Sequence, residues 1–132
     1  MFRKVHHIGM AVRDMDAAIA LYESVGGTLL GRETSGDGSV ELSMIQFGDG
    51  SMVEPISPTT NDSELAKYLD EHGEGQHHIA YTVTDIVAAL EQLRNDGHIL
   101  IDEVPRPGFD GHLIAFVQPG TTMGAFWELV QE

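Results

Sequence analysis

Apolar and polar positions follow one rhythm twice along the chain. Residues 7–12 and 78–83 are extended runs rich in Ile, Val and Tyr, which predicts two strands. Asp14 and Asp85 follow them, each placed to cap a helix by accepting a hydrogen bond from an otherwise unbonded backbone N–H. The spacing then becomes helical. Ala17, Ala18, Leu21, Tyr22 and Val25 make the apolar stripe of the first helix, and Ile86, Ala89, Leu90 and Leu93 that of the second. Gly26–Gly27 and Gly97 end these helices, where a left-handed residue is needed. Three further strands follow in each half, over residues 28–33, 40–47 and 52–56, and over 99–104, 113–117 and 125–130. Gly36–Asp37–Gly38, Asp49–Gly50 and Phe109–Asp110–Gly111 are turn signals between them. The connector between the halves is polar and holds one short helix near residues 63–72, with Ser63 as its cap.

The rhythm reflects an internal repeat. Shifted by 71 residues, His6–His7–Ile8 falls on His77–His78–Ile79, Val12 on Val83 and Asp14 on Asp85. Ala17–Ala18 falls on Ala88–Ala89, Gly26 on Gly97 and Leu29 on Leu100. That makes nine identities in 25 ungapped pairs, where chance gives about one or two at average residue frequencies. The fold class expected is α+β, with two tandem βαβββ modules related by pseudo-two-fold symmetry. Module 1 covers residues 3–57, a linker 58–75 and module 2 residues 76–132, within a single domain of residues 1–132.

Composition narrows the chemistry. A chain of 132 residues, 42 % apolar and 21 % charged, is long enough for one hydrophobic core. Seven Lys and Arg against 21 Asp and Glu give a net charge of −14, which argues against nucleic acid and against a polybasic membrane contact. The absence of cysteine excludes disulfides, thiolate ligands and a Cys nucleophile. The apolar run Ile8 to Val12 is too short for a signal sequence or a membrane span. The protein is therefore expected in the cytoplasm.

The repeat singles out four side chains. His7 and His78 hold equivalent places on the first strand of each half, and Glu54 and Glu128 lie on the last strand of each. One Glu in an apolar strand is explained by a solvent-facing position, and one His by packing. Two of each at symmetry-related places point to a shared metal, because a buried carboxylate is costly unless paired or coordinating. Two neutral imidazoles and two carboxylates would neutralise one divalent ion. A donor set of N and O suits Co, Mn, Zn, Ni or Fe. Alternation turns His6 and His77 to the opposite face, beside the ligands or at the surface. His72, His98 and His112 fall at helix ends or turns and carry no predicted role.

This pattern resembles the vicinal oxygen chelate superfamily, which contains glyoxalase I, and within it the methylmalonyl-CoA epimerases. The resemblance runs along nearly the whole chain. It is carried by residues 7–12, 62–69, 73–80 and 102–106, by Ala115–Phe116 and by Glu128–Leu129–Val130, and most specifically by Gly73–Glu74–Gly75–Gln76–His77–His78–Ile79–Ala80. It implies curved mixed sheets around an open, barrel-like cleft, with His7, Glu54, His78 and Glu128 as metal ligands. It also implies an acyl-CoA substrate epimerised through an enolate by two acid/base carboxylates. These are Glu128 and, in a Val-Glu-hydrophobic context, Glu41. Phe126 and Arg106 are expected to contact substrate, and a second copy of the chain is expected to complete a homodimer. Gln118–Pro119–Gly120 departs from the His-Pro-Lys common in the family, and Phe126–Trp127 is bulkier than usual there. Two alternatives stand beside this expectation: another metalloenzyme on the same scaffold, and a non-catalytic small-molecule-binding protein of that fold.

Overall fold

The computed structural model describes residues 1–132. Eleven principal elements follow in order: β1 (Val5–Ala11), α1 (Met15–Ser24), β2 (Thr28–Thr34), β3 (Val40–Gln46), β4 (Met52–Pro58), α2 (Glu64–His72), β5 (Gly75–Thr82), α3 (Ile86–Asn95), β6 (Arg106–Pro107), β7 (Leu113–Val117) and β8 (Phe126–Gln131). The βαβββ order therefore occurs twice, with α2 between the two copies. No helix is long and apolar enough to cross a membrane.

Contacts divide the chain into two compact units, one of Ile8–His77 and one of Met1–His7 with His78–Glu132. In the first unit the strands lie in the order β2-β3-β4-β1. The hairpin pairs are antiparallel, and β1 runs parallel to β4. Asp14 caps α1 by accepting from Ala17 N, as the sequence predicts. The buried stripe of α1 is phased differently from expectation. Met15, Ala18 and Ile19 face the sheet, with Tyr22 partly buried, whereas Leu21 and Val25 are exposed. Met15, Ile19 and Ile45 form that core. The connector joins this unit, because Leu65 and Leu69 of α2 pack on Ala11 and Ile56.

The second unit repeats the plan in the order β5-β8-β7-β6, with β5 parallel to β8. The N-terminal segment belongs here, since Arg3 N donates to Thr82 O and Thr82 N to Lys4 O, each at 2.9 Å. Asp85 caps α3 by accepting from Ala88 N, and Ile86, Ala89, Leu90 and Leu93 are buried as expected. They pack on Ala115, Val117 and Leu129, and each large aliphatic side chain buried there contributes about 1.5–3 kcal/mol.

One expected strand is replaced. Residues 99–104 form only an isolated bridge, Leu100 to Val117, and regular pairing resumes at Arg106–Pro107. The cause is Asp102. Its Oδ2 accepts from Phe116 N at 2.9 Å, taking the place of a strand carbonyl, while Ile101 N and Asp102 N both turn to Phe116 O.

Candidate metal centre

Strand alternation sorts the second unit's side chains onto two faces. In the parallel pair, His78 lies opposite Phe126 and Ala80 opposite Glu128, so all four share a face. Ile114 and Phe116 join that face through their pairing with Val130 and Glu128. Trp127 and Leu129 turn to the α3 side, where Trp127 meets Phe2 and Tyr81. The last strand can thus present a carboxylate on one side while building the core on the other.

On the carboxylate face three donor atoms converge. His7 Nε2 and His78 Nε2 are 3.2 Å apart. Glu128 Oε2 stands 3.3 Å from the first and 3.0 Å from the second. The two imidazoles share a hydrogen bond, whereas Glu128 Oε2 is buried without one. Burial raises the pKa of Glu128. The two facing imidazoles outweigh burial and hold the carboxyl well below the usual carboxylate range.

An orphaned buried oxygen beside two imidazole nitrogens fits a cation-binding role. Ligands at about 2.0–2.1 Å from a common metal would stand about 2.9–3.4 Å from one another, which spans the three observed separations. Phe116 packs edge-on to the His78 ring, with centroids 5.2 Å apart. The His6 ring reaches His7, with the two Nδ1 atoms 2.8 Å apart.

Glu54 belongs to the other unit. It lies on β4 opposite Gly9, facing the same side as Ile56 and Leu42. His7, Glu54, His78 and Glu128 are only 2, 5, 1 and 3 % exposed, and they are the only ionisable side chains of the chain that are buried.

The remaining expected residues fall in different settings. Glu41 pairs with Ser57 of β4, which puts it on the face opposite Glu54. Arg32 holds its carboxylate, through Nε at 2.8 Å, and also reaches Asp16 of α1 at 2.7 Å. Val40, Leu42, Met44 and Gln46 are the residues of β3 that face the Glu54 side.

Phe126 is half-buried on the face of Glu128, and Arg106 lies on β6 with its guanidinium carbon 5.6 Å above the Phe116 ring. Asp102 Oδ1 accepts from Arg106 Nε at 3.0 Å and fixes it there. Sequence reasoning missed Asp102 and Phe116, because both act through strand register. His72 stacks on Tyr68, and His98 contacts Thr121 Oγ1 at 2.7 Å, in keeping with packing roles.

Comparison with known proteins agrees with this geometry. Residues 6–116 match the Glyoxalase/Bleomycin resistance protein/Dioxygenase superfamily. An ethylmalonyl-CoA/methylmalonyl-CoA epimerase of Cereibacter sphaeroides is 31 % identical, over 99 % of each chain. The uncharacterized protein YqjC of Bacillus subtilis is 37 % identical, over 97 % of this chain and 91 % of its own. A variant of the Streptomyces coelicolor methylmalonyl-CoA epimerase, solved in complex with 2-nitronate-propionyl-CoA, superposes with a TM-score of 0.92 at 30 % identity. That match covers 100 % of this chain and 96 % of the other. The chain belongs to the glyoxalase/bleomycin resistance/dioxygenase superfamily, as an enzyme of the epimerase type.

Proposed function

We propose that the protein is a metal-dependent epimerase of methylmalonyl-CoA or a close 2-substituted malonyl thioester. The observation that carries this reading is the triangle of His7, His78 and Glu128 donor atoms around an oxygen with no hydrogen bond. Glu54 is proposed as the fourth ligand on the strength of the internal repeat. His78 stands two residues before Ala80, which pairs with Glu128; His7 stands two residues before Gly9, which pairs with Glu54. The register that brings His78 to Glu128 is therefore written again for His7 and Glu54.

A divalent cation of the Co, Mn, Zn, Ni or Fe type, bound there, would supply electrophilic stabilisation of the negative charge that develops on the thioester oxygen. The chain supplies the rest. His7 and His78 offer neutral nitrogen donors. Glu128, ionised and facing the reacting centre, takes the C2 proton, which lies between two carbonyls and is acidic for that reason. Arg106, pinned by Asp102, is placed to answer the substrate's negative charge, and Phe126 lines the acyl group. Inversion also needs a proton carrier on the other side of C2; the family resemblance offers Glu41, although Arg32 holds that carboxylate on the strand face opposite Glu54. We further propose a single domain, with modules 3–57 and 76–132 joined by residues 58–75, that works as a homodimer in the cytoplasm. Exposed Leu21, Val25 and Leu30 support pairing with a second copy.

Leu42 favours a second reading. With an apolar side chain at a β3 position that shares a face with Glu54, one carboxylate, Glu128, could carry a proton between adjacent carbons without inverting either. That would be a glyoxalase-like isomerase.

The experiment is to incubate metal-loaded protein with (R)- and with (S)-methylmalonyl-CoA in deuterated water, following both deuterium at C2 and configuration. Epimerisation predicts exchange with inversion, lost in Glu128→Gln and in metal-free protein. Exchange without inversion supports the second reading, and no metal-dependent exchange rejects the first. Inversion lost in Glu41→Gln supports its role, whereas inversion intact there places the second carrier elsewhere.

A further inference from the structure

We infer that His6 is a positioning residue that fixes the tautomer of His7, so that His7 Nε2 keeps a lone pair for a cation. The inference rests on the metal reading above, and its geometry lies within one compact unit.

Two imidazole Nδ1 atoms 2.8 Å apart share a single proton between neutral rings. If His6 Nδ1 accepts, His7 Nδ1 carries the proton and His7 Nε2 is a free donor of electrons. If His6 Nδ1 donates, His7 Nε2 must carry a proton and cannot ligate. The direction of this one bond therefore decides whether His7 is competent, since the tautomer of an imidazole is set by the bond its other nitrogen makes.

The surroundings favour the first arrangement. His7 Nε2 points among His78 Nε2 and Glu128 Oε2, and the latter lies outside hydrogen-bond geometry. With His78 Nε2 donating across the 3.2 Å contact, His7 Nε2 accepts and keeps the lone pair a cation would need. The His112 ring approaches His6 edge-on, with centroids 6.3 Å apart.

The counterpart of His6 in the repeat is His77, whose ring packs against Tyr68 with centroids 4.7 Å apart.

Two measurements test the inference. In metal-free wild-type protein, nitrogen-15 NMR of the His7 ring should show a protonated Nδ1 and an unprotonated Nε2; the reverse would overturn the inference. This readout needs no metal, so it stands even if the chain proves unable to bind one. Cobalt(II) affinity is then compared among His6→Asn, His6→Gln and His6→Ala. An Asn side-chain oxygen stands where Nδ1 stood, whereas a Gln oxygen stands where Nε2 stood. Gln and Ala should weaken binding about 10-fold or more, the range usual for groups that orient a ligand, and Asn by less than about 3-fold. Equal affinity in wild type and His6→Ala, or equal losses in Asn and Gln, would overturn it. Should His6→Ala fail to fold, the Asn and Gln pair carries the comparison.

Discussion

Glu128 and Glu41 show how much one residue of register decides. Both sit in strands with hydrophobic neighbours, and both are carboxylates that a sequence comparison can assign to catalysis. Pairing with Ala80 turns Glu128 toward two imidazoles. Pairing with Ser57 turns Glu41 toward α1, where Arg32 takes its charge. A slip of one position exchanges the faces of a strand, and the Val40–Glu41–Leu42 string does not reveal its own register. The four buried ligand-type residues were legible because symmetry marked them twice. Asp102 and Phe116 were not, because each acts through a neighbour that only the folded chain supplies.

Gly27 is another residue fixed by contact. A Cβ added there would stand 2.6 Å from Ile45 Cγ2 and 2.8 Å from Tyr22 O. Gly27→Ala should cost about 1–3 kcal/mol by urea unfolding, as other over-packed sites do. Unchanged stability would show that the α1–β2 junction can relax.

At the scale of elements, α3 matched its sequence reading and α1 did not. Leu21, Tyr22 and Val25 are apolar and helically spaced, so the first helix offered two candidate stripes. The repeat held the answer: Met15, Ala18, Ile19 and Tyr22 are the counterparts of Ile86, Ala89, Leu90 and Leu93. Packing on Ile45 confirms that phase. Ile19→Ala should cost about 2–5 kcal/mol in thermal or urea unfolding. Ala17→Ser should stay within about 0.5 kcal/mol of wild type, because its side chain faces solvent. The reverse order would restore the original stripe.

The missing strand at residues 99–104 has a local cause of the same kind. Ile99, Leu100, Ile101 and Val104 have strand character. Asp102 competes by offering Phe116 N a side-chain acceptor, and it also anchors Arg106. What reads as a weak strand is a bent segment that holds a cation beside Phe116.

At the scale of the whole chain, duplication explains the arrangement better than any single motif. Each half pairs its first strand parallel to its last, and each places a Glu beside that pair two residues beyond a His. The compact units divide at His7 and His78, so the chain changes units at its two buried histidines. The connector looked like a linker because it is polar, but α2 carries Leu65 and Leu69 on one side and uses them to cover Ala11 and Ile56.

The central claim is one cation held by His7, Glu54, His78 and Glu128. Its most direct test is a cobalt(II) titration of metal-free protein, read by visible absorption, for wild type and for alanine variants at each of the four positions, with folding checked by circular dichroism. The account predicts one ion per chain in wild type, and affinity lost by at least about 10-fold in every variant. A wild-type chain that binds no ion, or variants that bind as tightly as wild type, would contradict it.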